Sequence, residues 1–133
     1  MKVDIRRTNG DLQFEAVNEL GRKVILDGGD CHEGMRPMEL LLSALGSCAA
    51  FDVVHILRRQ RQPVEDVRIS VSGTRPEEGS PRPFDSIHMK FVVAGNPDRK
   101  KTERAVSLSV EKHCSVGATL RSETEVTYEI EMV

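Results

Sequence analysis

The sequence is poor in large aromatic side chains: its 133 residues include no tryptophan, one tyrosine and four phenylalanines. A monomer with so few large side chains buries only a modest core, and small domains gain stability when subunits share a core. The length is close to the common size of a domain, so we expect one domain over residues 1–133. The formal charge of −2 argues against a dedicated nucleic-acid-binding protein, which would carry a basic face.

Long hydrophobic runs are also absent. No stretch approaches 18 consecutive apolar residues, so the sequence predicts no membrane span. The N-terminal segment Met1–Arg6 alternates charged with apolar residues and lacks the apolar core of a signal peptide. We therefore expect a cytoplasmic protein.

Cysteine is scarce, with three residues at Cys31, Cys48 and Cys114. The cytoplasm keeps thiols reduced, so structural disulfides are not expected. The sequence has no CxxC and no paired cysteine–histidine spacing, so it predicts no zinc site and implies no cofactor. Cys31 is followed by His32 and Glu33, residue types that also bind metals, but in a glycine-rich loop this pattern favours an exposed, unpaired thiol.

Alternation of apolar and polar residues predicts several strands. Short strands are expected between Ile5 and Asp27, where Asn9-Gly10 is typical of a hairpin turn. The other predicted elements are a helix from Pro37 to about Arg59, strands over 64–74 and 84–94, a helix that begins at Asn96-Pro97-Asp98, a short helical turn after Cys114, and a final strand over 126–132.

Cys48 lies inside the predicted central helix, and Cys114 follows the second predicted helix 66 positions later. Two thiols held by core helices can meet in space and then cycle between dithiol and disulfide. In a thiol peroxidase, the attacking thiolate becomes a sulfenic acid and condenses with a second thiol. Cys48 as attacker and Cys114 as resolver supply both roles. The alternative is that both are inert core residues, because free cysteine is among the most buried residue types.

Helical spacing places two titratable residues, Asp52 and His55, on the face of Cys48, at i+4 and i+7. A carboxylate beside a thiol raises the pKa of the thiol, and a protonated imidazole lowers it. We favour a structural role for His55, whereas Asp52 needs a partner if it is buried. Cys48 is about three turns into the helix, so the helix dipole gives little activation, and a cation such as Arg36 would have to come from a loop or a second subunit.

The side chains near Cys48 in the sequence are mostly apolar. We expect a pocket around this thiol that is lined by Met38, Leu41, Leu42, Leu45 and Phe51. An apolar pocket favours an organic hydroperoxide as the substrate.

Residues 36–48 read RPMELLLSALGSC, and residues 111–116 read EKHCSV. Both segments resemble the OsmC/Ohr family, named for osmotic induction and organic hydroperoxide resistance, and residues 48–58 look most like its YhfA-like branch. The resemblance implies an α+β fold, with antiparallel sheets wrapped around central helices in an intertwined homodimer and an active site at the subunit interface. In the family's peroxidases the first cysteine attacks an organic hydroperoxide and the second resolves it, and these positions match Cys48 and Cys114.

The chain departs from those peroxidases at two points. They carry a glutamate directly after the proline that opens the central helix, where this chain has Met38. Glu39 is one position later and so is rotated by about 100° around the helix. The peroxidases also use an N-terminal arginine, which no arginine here matches cleanly. Arg36, Glu39 and Asp52 remain the candidate supporting residues.

Two hypotheses follow from the residues and the resemblance. The first is a thiol-dependent peroxidase that acts on organic hydroperoxides, with a small dithiol or a lipoyl-bearing protein as the reductant that the resemblance implies. The second is a protein that uses the same pocket to bind a small apolar or electrophilic ligand near Cys48, with little or no turnover. The missing glutamate favours the second hypothesis.

Overall fold

The computed structural model describes residues 1–30, 33–120 and 124–133. The strands are β1 (Val3–Arg7), β2 (Gln13–Asn18), β3 (Lys23–Asp27), β4 (Asp66–Thr74), β5 (Ser86–Ala94) and β6 (Glu125–Met132). The helices are α1 (Pro37–Arg59), α2 (Arg99–Leu108) and α3 (Ser115–Leu120), and a π-helical turn over Ser109–His113 joins α2 to α3. The chain forms two compact units, Met1–Leu41 and Leu42–Val133.

The first unit is built on an antiparallel meander of β1, β2 and β3. In its first turn, Asn9 Oδ1 accepts hydrogen bonds from the backbone N–H groups of Asp11 and Gln13 at 3.0 and 3.2 Å. Gly10 has a φ of +76°, a conformation that glycine adopts without steric cost. These contacts confirm the hairpin predicted at Asn9-Gly10.

Helix α1 occupies the predicted range, Pro37–Arg59. The Glu39 carboxylate stabilises its first turn, because Oε2 accepts a hydrogen bond from the Arg36 N–H at 2.8 Å, as in half of a capping box. Beyond its last residue, the Gln62 N–H donates to the Leu57 carbonyl at 3.0 Å and so satisfies a carbonyl of the final turn. Local hydrogen bonds therefore define both ends of the helix.

One face of α1 forms part of the core of the second unit. Its buried side chains recur every four residues and are at most 1% exposed: Leu45, Ala49, Val53 and Leu57. The helix also lies very close to β4, because a Cβ added at Gly46 would be 2.7 Å from Val71 Cγ2.

Helix α1 is long and apolar enough to cross a membrane by length and composition alone. The core helix of a soluble protein meets the same criterion, so this property is weak evidence for a membrane span.

The second sheet places β5 between β4 and β6. The inward side chains of β5 are at most 1% exposed: Ile87, Met89, Phe91 and Val93. The β4–β5 pair is antiparallel, whereas the β5–β6 pair is parallel. The prediction of antiparallel sheets is therefore wrong for the second pair. The physical reason is that the helical segment 99–120 forms the crossover that parallel pairing requires.

Helix α2 begins at the predicted place. Asp98 is its N-cap, and the side chain accepts a hydrogen bond from the Lys101 N–H at 2.9 Å. Its buried residues are Thr102, Ala105 and Val106. Helix α2 thereby holds the π-helical turn that follows it against the core.

Gly73 is expected to be intolerant of any side chain. A Cβ at this position would lie 2.5 Å from Cε1 of the Phe84 ring, which is 6% exposed and has little room to move. Gly73→Ala should lower the free energy of unfolding by about 1–3 kcal/mol, the usual cost of overpacking. Urea denaturation should show a lower midpoint at an unchanged slope. Gly28→Ala is the control, since its Cβ would meet Leu12 at an ordinary 3.7 Å. Equal midpoints for the two variants would contradict the packing argument.

Candidate functional site

Two cysteines meet between α1 and the segment that follows α2. Cys48 is half-buried in the middle of α1, and Cys114 is 1% exposed. Both are free cysteines, and the Cys48 side chain lies close enough to Cys114 to raise the pKa of the Cys114 thiol. The structure therefore brings together the two thiols that the sequence places 66 positions apart.

The π-helical turn sets the position of Cys114. The Cys114 N–H donates to the Ser109 carbonyl, five residues earlier, at 2.9 Å. The buried Ser109 Oγ donates in turn to the carbonyl of Ala49, the residue after Cys48, at 3.0 Å. A π-helical turn is rare and frequently occurs at functional sites. The sequence does not predict this turn, since five residues give too short a pattern to distinguish π from α periodicity.

The Cys114 sulfur is enclosed on two sides. At the start of α3, the Gly117 N–H donates to Sγ at 3.2 Å. The thiol faces the Leu45 carbonyl of α1 at 4.0 Å. A Cβ on Gly117 would approach the sulfur to 3.4 Å. Backbone groups of α1 and α3 thus fix the sulfur in place.

The pKa of the Cys114 thiol is raised to about 11. Burial is the largest cause, because removal from water disfavours the thiolate. The Gly117 N–H acts in the opposite direction, and the nearby Cys48 side chain, together with the charges of Cys48 and Asp52, raises the pKa further. Cys114 is therefore a protonated thiol at neutral pH. That state suits a resolving cysteine better than an attacking one, since the attacker must be a thiolate.

Asp52 lies one helical turn after Cys48. Its Oδ2 atom is buried and has no hydrogen-bond partner among the described residues. A buried acceptor without a partner is costly, so this oxygen is suited to binding a donor from another molecule. Of the three predicted supporting residues, Asp52 is the one whose charge acts on Cys114.

The other two supporting residues, Arg36 and Glu39, lie at the start of α1 in the first compact unit. Arg36 is exposed, and its backbone N–H is bound by the Glu39 carboxylate. This contact gives Glu39 a helix-capping role.

The five predicted pocket residues differ in burial. Leu45 is buried and reaches the Cys114 segment, since a Cβ on Gly117 would lie 3.5 Å from Leu45 Cδ1. Leu42 is half-buried, and Phe51 is 75% exposed. The remaining two, Met38 and Leu41, are half-buried and belong to the first unit.

A cleft of about 640 Å³ is lined by Asp52, His55, Ile56, Arg59, Gln60 and His113. Asp52 is four residues after Cys48, and His113 directly precedes Cys114, so residues close to both cysteines in the sequence contribute to it, whereas neither cysteine itself is among its lining residues. The sequence placed Asp52 and His55 on this face. The same helical spacing, continued along α1, also predicts Arg59 on this face. His113 comes from a distant segment, so no helical spacing could have predicted it.

Cys31 and His32, the residues considered for a loop metal site, lie outside the described residues. Within residues 1–30, 33–120 and 124–133, no cluster of three or more histidine, cysteine or acidic side chains could hold a metal ion.

A model of the OsmC-like protein family matches residues 28–129, a range that includes both Cys48 and Cys114. The chain belongs to the OsmC family. Protein YhfA of Escherichia coli K12 is 39% identical over 135 residues, which cover 100% of this chain and 98% of YhfA. This similarity confirms the resemblance to the YhfA-like branch of the family.

Solved structures agree with the family assignment. A hypothetical protein from Aquifex aeolicus VF5 is 33% identical with a TM-score of 0.83, over 99% of this chain and 96% of that one. An organic hydroperoxide resistance protein OsmC from Legionella pneumophila is 17% identical with a TM-score of 0.72, over 98% and 97% of the two chains. At such low identity the second likeness establishes the α+β OsmC-like fold alone.

Asp52→Asn is expected to lower the pKa of Cys114 in this OsmC-family protein, because it removes a negative charge that disfavours the thiolate. The pH midpoint of Cys114 alkylation by iodoacetamide, followed by peptide mass spectrometry, should fall below the wild-type midpoint. Asp66→Asn, at an exposed position of β4, is the matched control. An unchanged midpoint in Asp52→Asn would contradict the electrostatic role of this carboxylate.

Proposed function

We propose that this protein reduces organic hydroperoxides, with Cys48 as the attacking thiolate and Cys114 as the resolving thiol. The observation that supports this proposal is that the Ser109 hydrogen bond to Ala49 joins the two segments that carry the cysteines, and that the Cys48 side chain is close enough to raise the pKa of Cys114. A sulfenic acid on Cys48 needs a thiol within contact distance to condense with it. Family membership adds support, since relatives of the same fold are named organic hydroperoxide resistance proteins.

The chemistry has two steps. The Cys48 thiolate attacks one peroxide oxygen of ROOH, the O–O bond breaks, and the alkoxide leaves as ROH after it takes a proton. Cys48 is then a sulfenic acid. Cys114 attacks the Cys48 sulfur, the S–O bond breaks, and the hydroxide leaves as water with the Cys114 proton. The products are ROH, water and a Cys48–Cys114 disulfide, which a dithiol or a lipoyl-bearing protein in a reducing compartment such as the cytoplasm would return to two thiols.

The electrostatic coupling between the thiols would keep these steps in order. While Cys48 is a thiolate, its charge helps to raise the pKa of Cys114 and keeps the second thiol protonated. Oxidation of Cys48 to a neutral sulfenic acid removes that charge. The pKa of Cys114 therefore falls at the step in which Cys114 must act as the nucleophile. The Gly117 N–H stays in place to stabilise the negative sulfur.

A binding protein with little turnover is the second candidate function. The cleft of about 640 Å³ that Asp52 and His113 help to line favours it, because Asp52 Oδ2 is buried and has no partner among the described residues. Met38 in place of the peroxidase glutamate favours it as well. The hydroperoxide assay separates the two functions.

We also propose that the working form is a homodimer. In the single chain, only 28% of the most apolar stretch of residues in α1 is buried inside the protein. Large apolar side chains are exposed on both units, including Phe51 at 75% and Ile5 at 65%. Exposed apolar surface of this extent is typical of a protein–protein interface. A second copy of the chain would cover it and add to the modest core.

Reduced wild-type protein is expected to consume cumene hydroperoxide much faster than free cysteine does. Cys48→Ser should lose this activity completely. Cys114→Ser should turn over once and stop, with a sulfenic acid on Cys48 that dimedone traps. Mass spectrometry of the wild-type product should find a Cys48–Cys114 link and the loss of two hydrogens. Consumption that is no faster than that of free cysteine, or that survives Cys48→Ser, would refute the peroxidase and leave the binding protein.

Phe51→Glu is expected to dissociate the dimer without unfolding the monomer, because the ring is 75% exposed in the single chain. Sedimentation velocity should show a shift from dimer to monomer, while circular dichroism stays unchanged. Leu20→Glu is the matched control, since Leu20 is 83% exposed at the turn between β2 and β3. A wild-type monomer, or a dimer that Phe51→Glu leaves intact, would contradict the proposed interface.

A further inference from the structure

Ser109 is a buried polar residue that takes no part in the proposed bond-making steps. It lies where α2 passes into the π-helical turn, and it is 0% exposed. A serine hydroxyl in a helix commonly bonds a carbonyl of its own helix, one turn earlier. The Ser109 hydroxyl instead reaches another helix and donates to the Ala49 carbonyl of α1 at 3.0 Å. This hydrogen bond therefore joins two elements and does not serve the helix that carries it.

Thr102 of α2 shows the ordinary arrangement. It is equally buried, at 0% exposed, and its Oγ1 donates to the Asp98 carbonyl, four residues earlier, at 2.9 Å. The two hydroxyls share the same helical segment, the same burial and the same kind of acceptor. They differ in where the acceptor lies, because the acceptor of Ser109 is 60 residues away in the chain.

The Ala49 carbonyl does not need the serine in order to be satisfied. Ala49 is an interior residue of α1, so its carbonyl is the helical acceptor for the N–H four residues later. A carbonyl oxygen has two lone pairs, and the Ser109 hydroxyl takes the second. Removal of the hydroxyl therefore leaves no buried acceptor without a partner, which is the large cost of breaking a buried hydrogen bond. What is lost is a directional contact between the two segments.

This contact joins the two sulfur-bearing segments by a short path. Cys48 directly precedes Ala49, and the Ser109 carbonyl accepts the Cys114 N–H at 2.9 Å. Apolar packing is non-directional, whereas a hydrogen bond weakens steeply as its angle departs from linear. A disulfide forms over a narrow range of separations, with Cα atoms about 4.4–6.8 Å apart. A small shift of the π-helical turn along α1 would therefore make it harder for the sulfurs to bond.

We infer that Ser109 is a positioning residue, which holds Cys114 within reach of Cys48 and so sets how readily the pair forms a disulfide. Its kinetic consequence rests on the proposed function, because it concerns the step in which Cys114 resolves the sulfenic acid. Its equilibrium consequence concerns the two thiols alone and holds for any oxidant.

The equilibrium test uses full-length protein in mixtures of reduced and oxidised dithiothreitol. The two protein thiols give two electrons and two protons to oxidised dithiothreitol, whose S–S bond breaks as the Cys48–Cys114 bond forms. Alkylation and mass spectrometry then give the fraction of disulfide in each mixture. Ser109→Ala should lower the equilibrium constant for disulfide formation about fivefold to tenfold, the size of one net hydrogen bond. For a two-electron couple, a tenfold change raises the reduction potential by about 30 mV.

Thr102→Val is the matched control. It removes a buried hydroxyl from the same helical segment and keeps the shape of the side chain, but the lost hydrogen bond does not reach α1. Circular dichroism and urea denaturation should show that both variants are folded in the assay. Only Ser109→Ala should have a lowered equilibrium constant. An unchanged constant in Ser109→Ala, or an equal fall in Thr102→Val, would overturn the inference, as would a wild-type protein that forms no Cys48–Cys114 disulfide in any mixture.

A kinetic test follows the Cys48 sulfenic acid after an equimolar pulse of cumene hydroperoxide. Ser109→Ala should slow the loss of the sulfenic acid about fivefold to tenfold relative to its formation, because the hydroxyl acts on the approach of Cys114. Trapping with dimedone at successive times measures both steps. A variant that slows both steps equally would show a general structural defect and would contradict the positioning role.

The equilibrium measurement separates this inference from the peroxidase proposal, since it needs no hydroperoxide. A lowered constant in Ser109→Ala, with Thr102→Val unchanged, would support the positioning role even if the protein consumed no hydroperoxide. Fast hydroperoxide consumption together with an unchanged constant in Ser109→Ala would leave the peroxidase intact and overturn the role of Ser109.

Discussion

The buried hydrogen bond from Ser109 Oγ to the Ala49 carbonyl links the π-helical turn to α1 at 3.0 Å. Ala49 follows Cys48 directly, and the Ser109 carbonyl accepts the N–H of Cys114. One buried serine therefore ties together the backbones that carry both sulfurs. A buried hydrogen bond of this kind is costly to leave unmade, so it holds the two segments in one arrangement. The approach of the two thiols and the raised pKa of Cys114 both depend on that arrangement.

Burial gives the two cysteines different properties. Cys114 is enclosed, so the cost of desolvating a thiolate raises its pKa to about 11, and the Asp52 carboxylate adds to the effect. Cys48 remains half-buried, so it is less enclosed than Cys114.

The departures from the family's peroxidases concern how Cys48 would be activated in the proposed cycle. Met38 replaces the glutamate that the family resemblance leads one to expect, and Glu39 caps the first turn of α1 through the Arg36 N–H. Family membership therefore establishes the α+β fold, and the proximity of the two cysteines supports the proposed chemistry. Apolar side chains are exposed on α1 and β1, where the proposed second subunit would pack.

The sequence by itself determined the features that short-range forces control. Pro37 and the Gln62–Pro63 segment delimit α1, Asn9-Gly10 makes the first turn, and Asp98 caps α2, because each effect acts within a few residues of the backbone. The segments around the two cysteines also sufficed to identify the family.

Only the tertiary structure decided how distant segments meet. It gave the parallel pairing of β5 with β6, the exposure of Phe51, and the proximity of Cys48 to Cys114. It also placed His113 beside Asp52 in one cleft and raised the pKa of Cys114. Packing among residues tens of positions apart sets these properties, so no local pattern carries them. A short run of residues fixes its own backbone preferences, whereas the burial and charge around a side chain depend on the whole fold.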